Sequence, residues 1–174
     1  LTLAGWCMFN ERDTDAVVQF VRHIGLGLVR ATVSEDAFLP GLALRGGVIV
    51  LDDTRLRSPG DILHEAGHLA VMAPVRRGQC DGRLVPDGGE ELGAIAWSYA
   101  AALQVGLAPA ALFHDEGYRG DGVALRDNFS QGRYLGVPYL QWLGMSLEPA
   151  AAARQGLRPY PHMLRWLCER HPVA

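Results

Sequence analysis

Two histidines four residues apart, in the run His64-Glu65-Ala66-Gly67-His68, constrain this chain more than any other feature. On an α-helix, positions i and i+4 lie one turn apart on one face, so both imidazoles can reach a single cation. The flanking residues predict a helix over residues 59–72. Ser58 is a good N-cap, Pro59 suits the first helical position, where a missing N–H is no loss, and Pro74 ends the run. Ile62, Leu63, Leu69 and Val71 give this helix apolar surface to bury.

The pattern His-Glu-x-x-His carries a specific chemistry. Glu65 follows the first histidine directly, so it projects beside the metal-facing stripe without joining it. From there it can hold and deprotonate a water that a zinc ion has acidified toward about pH 7. A catalytic zinc takes three protein ligands, so one is still to be found. The extended signature HExxHxxGxxH is absent, because Val71 and Pro74 stand where its glycine and third histidine would be. A glutamate on a following helix is the other common solution. Glu90 and Glu91 open such a helix, predicted from about residue 89 to 105 and closed by Gly106. Glu91 is the preferred third ligand, since E-x-x-A-x-x-W runs from it down one face to Trp97, with Ser98 and Ala102. Glu90 is read as an outer support or as an acid favoured by the helix dipole.

Around these two helices the pattern predicts an α+β fold, helix-dominated, in one domain over residues 1–174, with a small sheet near the HExxH helix. Val17, Phe20, Val21 and Ile24 predict an amphipathic helix over residues 13–24. Residues 28–33 and 47–51 read as strands joined by a Gly- and Pro-containing connection. Residues 74–89 read as a loop. Shorter helices are expected near 109–116, 121–131, 137–144 and 159–169.

Composition excludes several classes. The 174 residues suffice for a sizeable core, and 49% hydrophobic with 20% charged residues is ordinary for a globular protein. A net charge of −3 without a Lys/Arg cluster gives no basic face, so direct nucleic-acid binding is not expected. No apolar run approaches the roughly 20 residues of a membrane span. The opening LTLAGWCMF has neither a basic leader nor a small-residue cleavage site, so no signal peptide is expected. Cys7, Cys80 and Cys168 are odd in number and widely spaced, which points away from a disulfide framework and toward a reducing, cytoplasmic setting. The 21 Gly and 10 Pro, with many Ala, suggest a high-GC bacterial source.

The stretches GLALRGGVIVLDD, DILHEAGHLAV and EELGAIAWSYAAAL, within residues 15–105, together resemble the ImmA/IrrE family of small gluzincin-like metallopeptidases. The resemblance implies a minimal zincin-like fold and a zinc-dependent intracellular peptidase acting on a protein or peptide substrate. Characterised relatives cut helix-turn-helix repressors. By motif position, His64, His68 and Glu91 would be the zinc ligands and Glu65 the general base. No helix-turn-helix is recognisable in this chain. The thermolysin-type ExxxD extension is missing too, since Ile95 stands in its place, so an outer-shell acid would come from Asp61 or Asp52. An alternative from another class is a zinc-binding regulatory or protein-interaction module without catalysis.

A peptidase also needs a donor to the oxyanion, and Tyr99, His114, Tyr118, Tyr134 and His162 qualify by type. Of these, Tyr99 reads as core. His114, beside Asp115 and Glu116, is either a rival third ligand or, more simply, a solvated helix end. The run GGVIVLDD is either an edge strand that binds extended peptide or a fully paired internal strand. Asp52 and Asp53 read as turn caps. Arg76, Arg77 and Arg83 either select acidic substrates or decorate a solvated loop that also holds Cys80. The oligomeric state is not legible.

Overall fold

Ser58 caps the central helix of the protein: its hydroxyl oxygen accepts from the Gly60 N–H at 3.3 Å and the hydroxyl donates to the Ala111 carbonyl. The computed structural model describes residues 11–37, 39–115 and 117–169; LTLAGWCMF with Cys7, and Glu116, lie outside the described residues. The capped helix, Pro59–Val71, stops where Met72 turns extended (φ −81°, ψ 144°). Pro74 does not end the chain's helicity there. It opens a further short helix, Pro74–Arg77, inside the stretch expected to be loop, because a proline is as well suited to N1 as to a stop.

Numbered in chain order, the helices are α1 (Glu11–His23), α2 (Pro59–Val71), α3 (Pro74–Arg77), α4 (Gly88–Val105), α5 (Pro109–Leu112), α6 (Gly122–Ser130), α7 (Val137–Trp142) and α8 (Pro149–Gln155). The strands are β1 (Gly27–Arg30), β2 (Leu42–Arg45) and β3 (Val48–Leu51). The fold is α+β, helix-rich, with a small three-stranded sheet. Among the described residues no helix is long and apolar enough to cross a membrane.

Helix α4 lies against α2. Asp87 caps it by accepting from the Glu90 N–H at 2.8 Å, and Gly106 closes it in the left-handed region at φ 75°. Small residues set how closely the two helices approach. A Cβ on Gly67 would stand 2.8 Å from the Ala94 carbonyl oxygen, and the Ser98 hydroxyl sits between the Ala94 and Leu63 carbonyls at 2.6 and 3.2 Å. On the far side of the motif, Gly60 meets the backbone of Ala111 and Leu112 in α5 just as tightly. Trp97, Ile62, Leu63 and Leu69 fill the interior between these elements.

The strand order is β1-β3-β2, with β3 parallel to β1 and antiparallel to β2. The run GGVIVLDD therefore supplies the central strand, paired on both sides, and the reading in which it binds peptide as an edge is corrected. The edge beside it is β2, a strand that fell in the expected connection. Gly46 and Gly47, at φ 54° and 75°, make the two-residue hairpin turn that joins them.

Residues 159–169 are not helical, contrary to expectation. Pro159 and Pro161 remove N–H donors early in the stretch. The segment instead straps across α2 and α4: the Tyr160 hydroxyl donates to the Ala96 carbonyl (2.8 Å), the Trp97 indole donates to the Trp166 carbonyl (2.9 Å), and the Cys168 N–H donates to the Ala70 carbonyl (2.8 Å). The nearby helix is α8, begun by Pro149 and capped by Gly156 at φ 65°.

Candidate metal centre

The helix spacing brings His64 and His68 together on α2, and the close α2–α4 packing delivers Glu91 from the first turn of α4. The Nε2 atoms of the two histidines are 3.1 Å apart, and the Glu91 carboxylate oxygens lie 3.6 Å from His64 Nε2 and 3.5 Å from His68 Nε2. Two ligand atoms each about 2.1 Å from a zinc ion, at a tetrahedral angle, are separated by about 3.4 Å. The observed separations, taken to Oε1 of Glu91 for His64 and to Oε2 for His68, lie close to that value, and one ligand atom from each residue lies within 4.8 Å of the others. His64, His68 and Glu91 thus form a group that can hold one metal ion, and all three line one open cleft.

The electrostatics suit the same role. Burial, and then the neighbouring His68, push His64 well below the ordinary histidine range, and burial lowers His68 to about 4. Both rings are therefore neutral near pH 7 and present lone pairs. Glu65 points into the same cleft without joining the three ligand atoms. Burial raises its carboxyl to about 7, with the Asp61 and Glu91 carboxylates adding to the effect. Glu65 is thereby poised between acid and base near neutrality.

This poise predicts a pH effect. In the metal-free fold the Glu65 proton is held to about pH 7, whereas the unfolded chain releases it near 4.5. Glu65 thus costs the fold nothing well below pH 4.5, and an increasing amount as the pH climbs through 7. Glu65→Gln removes that cost. Relative to wild type, the chelator-treated variant should gain on the order of 1–3 kcal/mol between pH 4.5 and 8. Urea midpoints at the two pH values check it; an offset that does not change with pH contradicts the burial of an ionisable Glu65.

The carboxylate partners that usually orient metal-bound imidazoles are not found among the described residues. Both Nδ1 atoms are buried without a hydrogen-bond partner. Packing orients the rings instead: His64 stands edge-on to His68 (centroids 4.5 Å) and to Tyr118 (4.8 Å). The expectation of Asp61 or Asp52 as the outer-shell acid is corrected accordingly. Asp52 is a turn cap, accepting from the Val33 N–H (3.1 Å) and from the Thr54 hydroxyl (2.6 Å). Asp61 pairs with His114, Oδ1 to Nε2 at 2.8 Å, deep in the cleft wall. His114 is therefore neither the third ligand nor a solvated helix end.

Glu90 is buried and bound by the Arg76 guanidinium, which separates its role from that of Glu91. Arg77 is structural, donating to the Leu69, Met72 and Cys168 carbonyls at 2.8–3.0 Å. Of the three arginines, Arg83 alone lines the metal-site cleft. Burial raises the Cys80 thiol above its ordinary value, which lowers its reactivity.

Among the oxyanion candidates, Tyr99 and Tyr134 belong to an aromatic cluster with Phe129 (centroids 4.8 and 5.7 Å). His162 is not among the cleft-lining residues. Tyr118 is different. Its hydroxyl is buried with no partner, it lines the cleft with Glu65 and Glu91, and its backbone holds φ 53°, uncommon for a bulky residue. An unpaired buried hydroxyl costs about 1–3 kcal/mol. Burial and the carboxylates of Asp61, Glu91 and Glu65 raise the phenol well above its ordinary value, so it stays a donor. Sequence spacing contained no signal for this placement, which depends on the 3-10 turn Tyr118–Gly120 meeting α2.

Comparison with protein-family models, with curated proteins and with solved structures finds no match to this chain.

Proposed function

We propose that this chain is a zinc-dependent peptidase of the minimal zincin-like, ImmA/IrrE type, hydrolysing peptide bonds in a protein substrate. The observation that carries the reading is the juxtaposition of a three-atom ligand set with a non-ligand glutamate in one open cleft of about 1060 Å3. A structural zinc closes its fourth position with protein, whereas a catalytic one leaves it open. When bound, zinc supplies a Lewis acid that acidifies water and polarises the scissile carbonyl.

The chain's own residues do the rest. His64, His68 and Glu91 hold the ion. Glu65 takes the proton of the attacking water and returns it to the leaving amine. The Tyr118 hydroxyl gains the acceptor it lacks when charge develops on the carbonyl oxygen. The edge strand β2, which also lines the cleft, offers backbone to an extended substrate. Among protein substrates, a bacterial helix-turn-helix repressor in the cytoplasm is the first to test, on the strength of the family resemblance.

Zinc-loaded protein incubated with an unfolded polypeptide should yield fragments, with chelation stopping the reaction and zinc restoring it. Tyr118→Phe should lower kcat by about 10²–10³-fold with KM and zinc content little changed. Equal turnover by Tyr118→Phe and wild type removes Tyr118 from the mechanism.

A further inference from the structure

The Tyr118 hydroxyl has no hydrogen-bond partner, so its own polar tip does not set where the ring stands. Its backbone does not do so unaided either: a bulky residue keeps φ 53° only where the surroundings over-determine it. What fixes the turn lies just upstream. His114 Nε2 and Asp61 Oδ1 are 2.8 Å apart, both side chains no more than 16% exposed, across 53 residues of sequence. Asp61 belongs to the first turn of α2, one turn before Glu65. Helix α5 meets that same end of α2 in two further ways, through the Ser58 hydroxyl donating to the Ala111 carbonyl and through the close approach of Gly60 to Ala111 and Leu112. The pair is thus the last of three ties, and the chain runs from it directly into the Tyr118 turn.

The turn is folded against this one imidazole. The Gly117 N–H donates to the His114 carbonyl at 3.0 Å, and a Cβ on Gly117 would stand 3.0 Å from His114 Nε2. The Tyr118 ring then meets the buried Phe113 ring edge-on, with centroids 5.3 Å apart, and the His64 ring at 4.8 Å. Resting on the proposed role of Tyr118 as oxyanion donor, we propose that Asp61 and His114 are a positioning pair. Their bond fixes the Tyr118 turn on α2 and so sets the hydroxyl beside His64. The pair acts through Tyr118. Without the imidazole, the Asp61 carboxylate loses that partner in the cleft wall and the turn loses its nearest anchor.

The test uses variants at His114, because Asp61 also bears electrostatically on Glu65 and a change there would act twice. Glutamine carries an amide N–H that can bond to Asp61 as the imidazole does, and alanine carries none. His114→Leu, which keeps bulk without the donor, takes alanine's place if His114→Ala does not fold. In the metal-free protein, the nuclear Overhauser contact between the Tyr118 and His64 rings should be present in wild type and in His114→Gln, and lost in His114→Ala. In the zinc-loaded full chain, His114→Ala should lower kcat by on the order of 10²-fold with KM and zinc content little changed, and His114→Gln should restore most of the loss. Combined with Tyr118→Phe, His114→Ala should add little, because both changes take the same hydroxyl out of the reaction. A ring contact that persists in His114→Ala, or a full further loss on top of Tyr118→Phe, overturns the positioning pair and leaves the peptidase standing. Loss of the contact in His114→Ala, with no cleavage by wild type, overturns the peptidase while the pair keeps its hold on the Tyr118 turn.

Discussion

Glu65→Gln is expected to lower peptide hydrolysis by about 10²–10⁴-fold while leaving the zinc content of the protein unchanged. Glutamine keeps the size and the carbonyl acceptor of the side chain, so the cleft keeps its shape, but it cannot take a proton. The split between rate and metal content follows from placement: Glu65 lies outside the three-atom ligand set, in the cleft that set lines. Its carboxyl, raised to about 7 by burial and by the Asp61 and Glu91 carboxylates, sits where a group can both accept and return a proton near neutrality. The measurement is kcat/KM on one peptide beside elemental analysis of the same preparation. A variant that cleaves as fast as wild type removes the general base. One that loses its zinc makes Glu65 a ligand instead.

Gly67→Val should have the second largest effect, through packing alone. Gly67 is not one of the three candidate ligands, yet its α-carbon faces Ala94 and Ser98 of α4 so closely that a Cβ would stand 2.8 and 2.9 Å from their oxygens. A branched side chain forces α2 and α4 apart, and those two helices carry His64, His68 and Glu91 between them. The expected cost is about 1–3 kcal/mol of stability. Zinc affinity should fall by on the order of 10–100-fold, as for other losses of support around metal ligands. Gly78→Ala is the control, since a Cβ there meets nothing within 4 Å and the residue already holds helical angles. Its stability should stay within about 0.5 kcal/mol of wild type. Undiminished zinc affinity in Gly67→Val would show that the site does not depend on the close helix approach.

The parts legible in the sequence were those written in local chemistry. Ser58, Pro59 and the histidine spacing defined α2 almost to the residue, and Gly106 marked the end of α4, whose start at Gly88 lies one residue before its expected limit. The juxtaposition of His64, His68 and Glu91 was legible in the i, i+4 histidine spacing and in the E-x-x-A-x-x-W run that opens at Glu91. Strand β2 was harder, since only four residues carry it and its signal lies in the Gly46-Gly47 turn rather than in its own apolar pattern. Residues 159–169 had helical spacing, but the Trp166 carbonyl and the Cys168 N–H are taken by Trp97 and Ala70, and the Tyr160 hydroxyl by the Ala96 carbonyl, a competition from two other helices that is invisible to local reading. The same holds for the Asp61–His114 pair and for Tyr118. Their chemistry could be named from residue type, but long-range contacts decided which partner each one met.

The central claim is that His64, His68 and Glu91 hold a metal ion, and elemental analysis tests it most directly. Protein purified without chelators would be measured beside Glu91→Ala prepared in the same way. Near-stoichiometric zinc in the wild type, with clear loss in the variant, is the result predicted here. No metal in the wild type, even after zinc is supplied at neutral pH, would contradict the site and the hydrolytic function built on it.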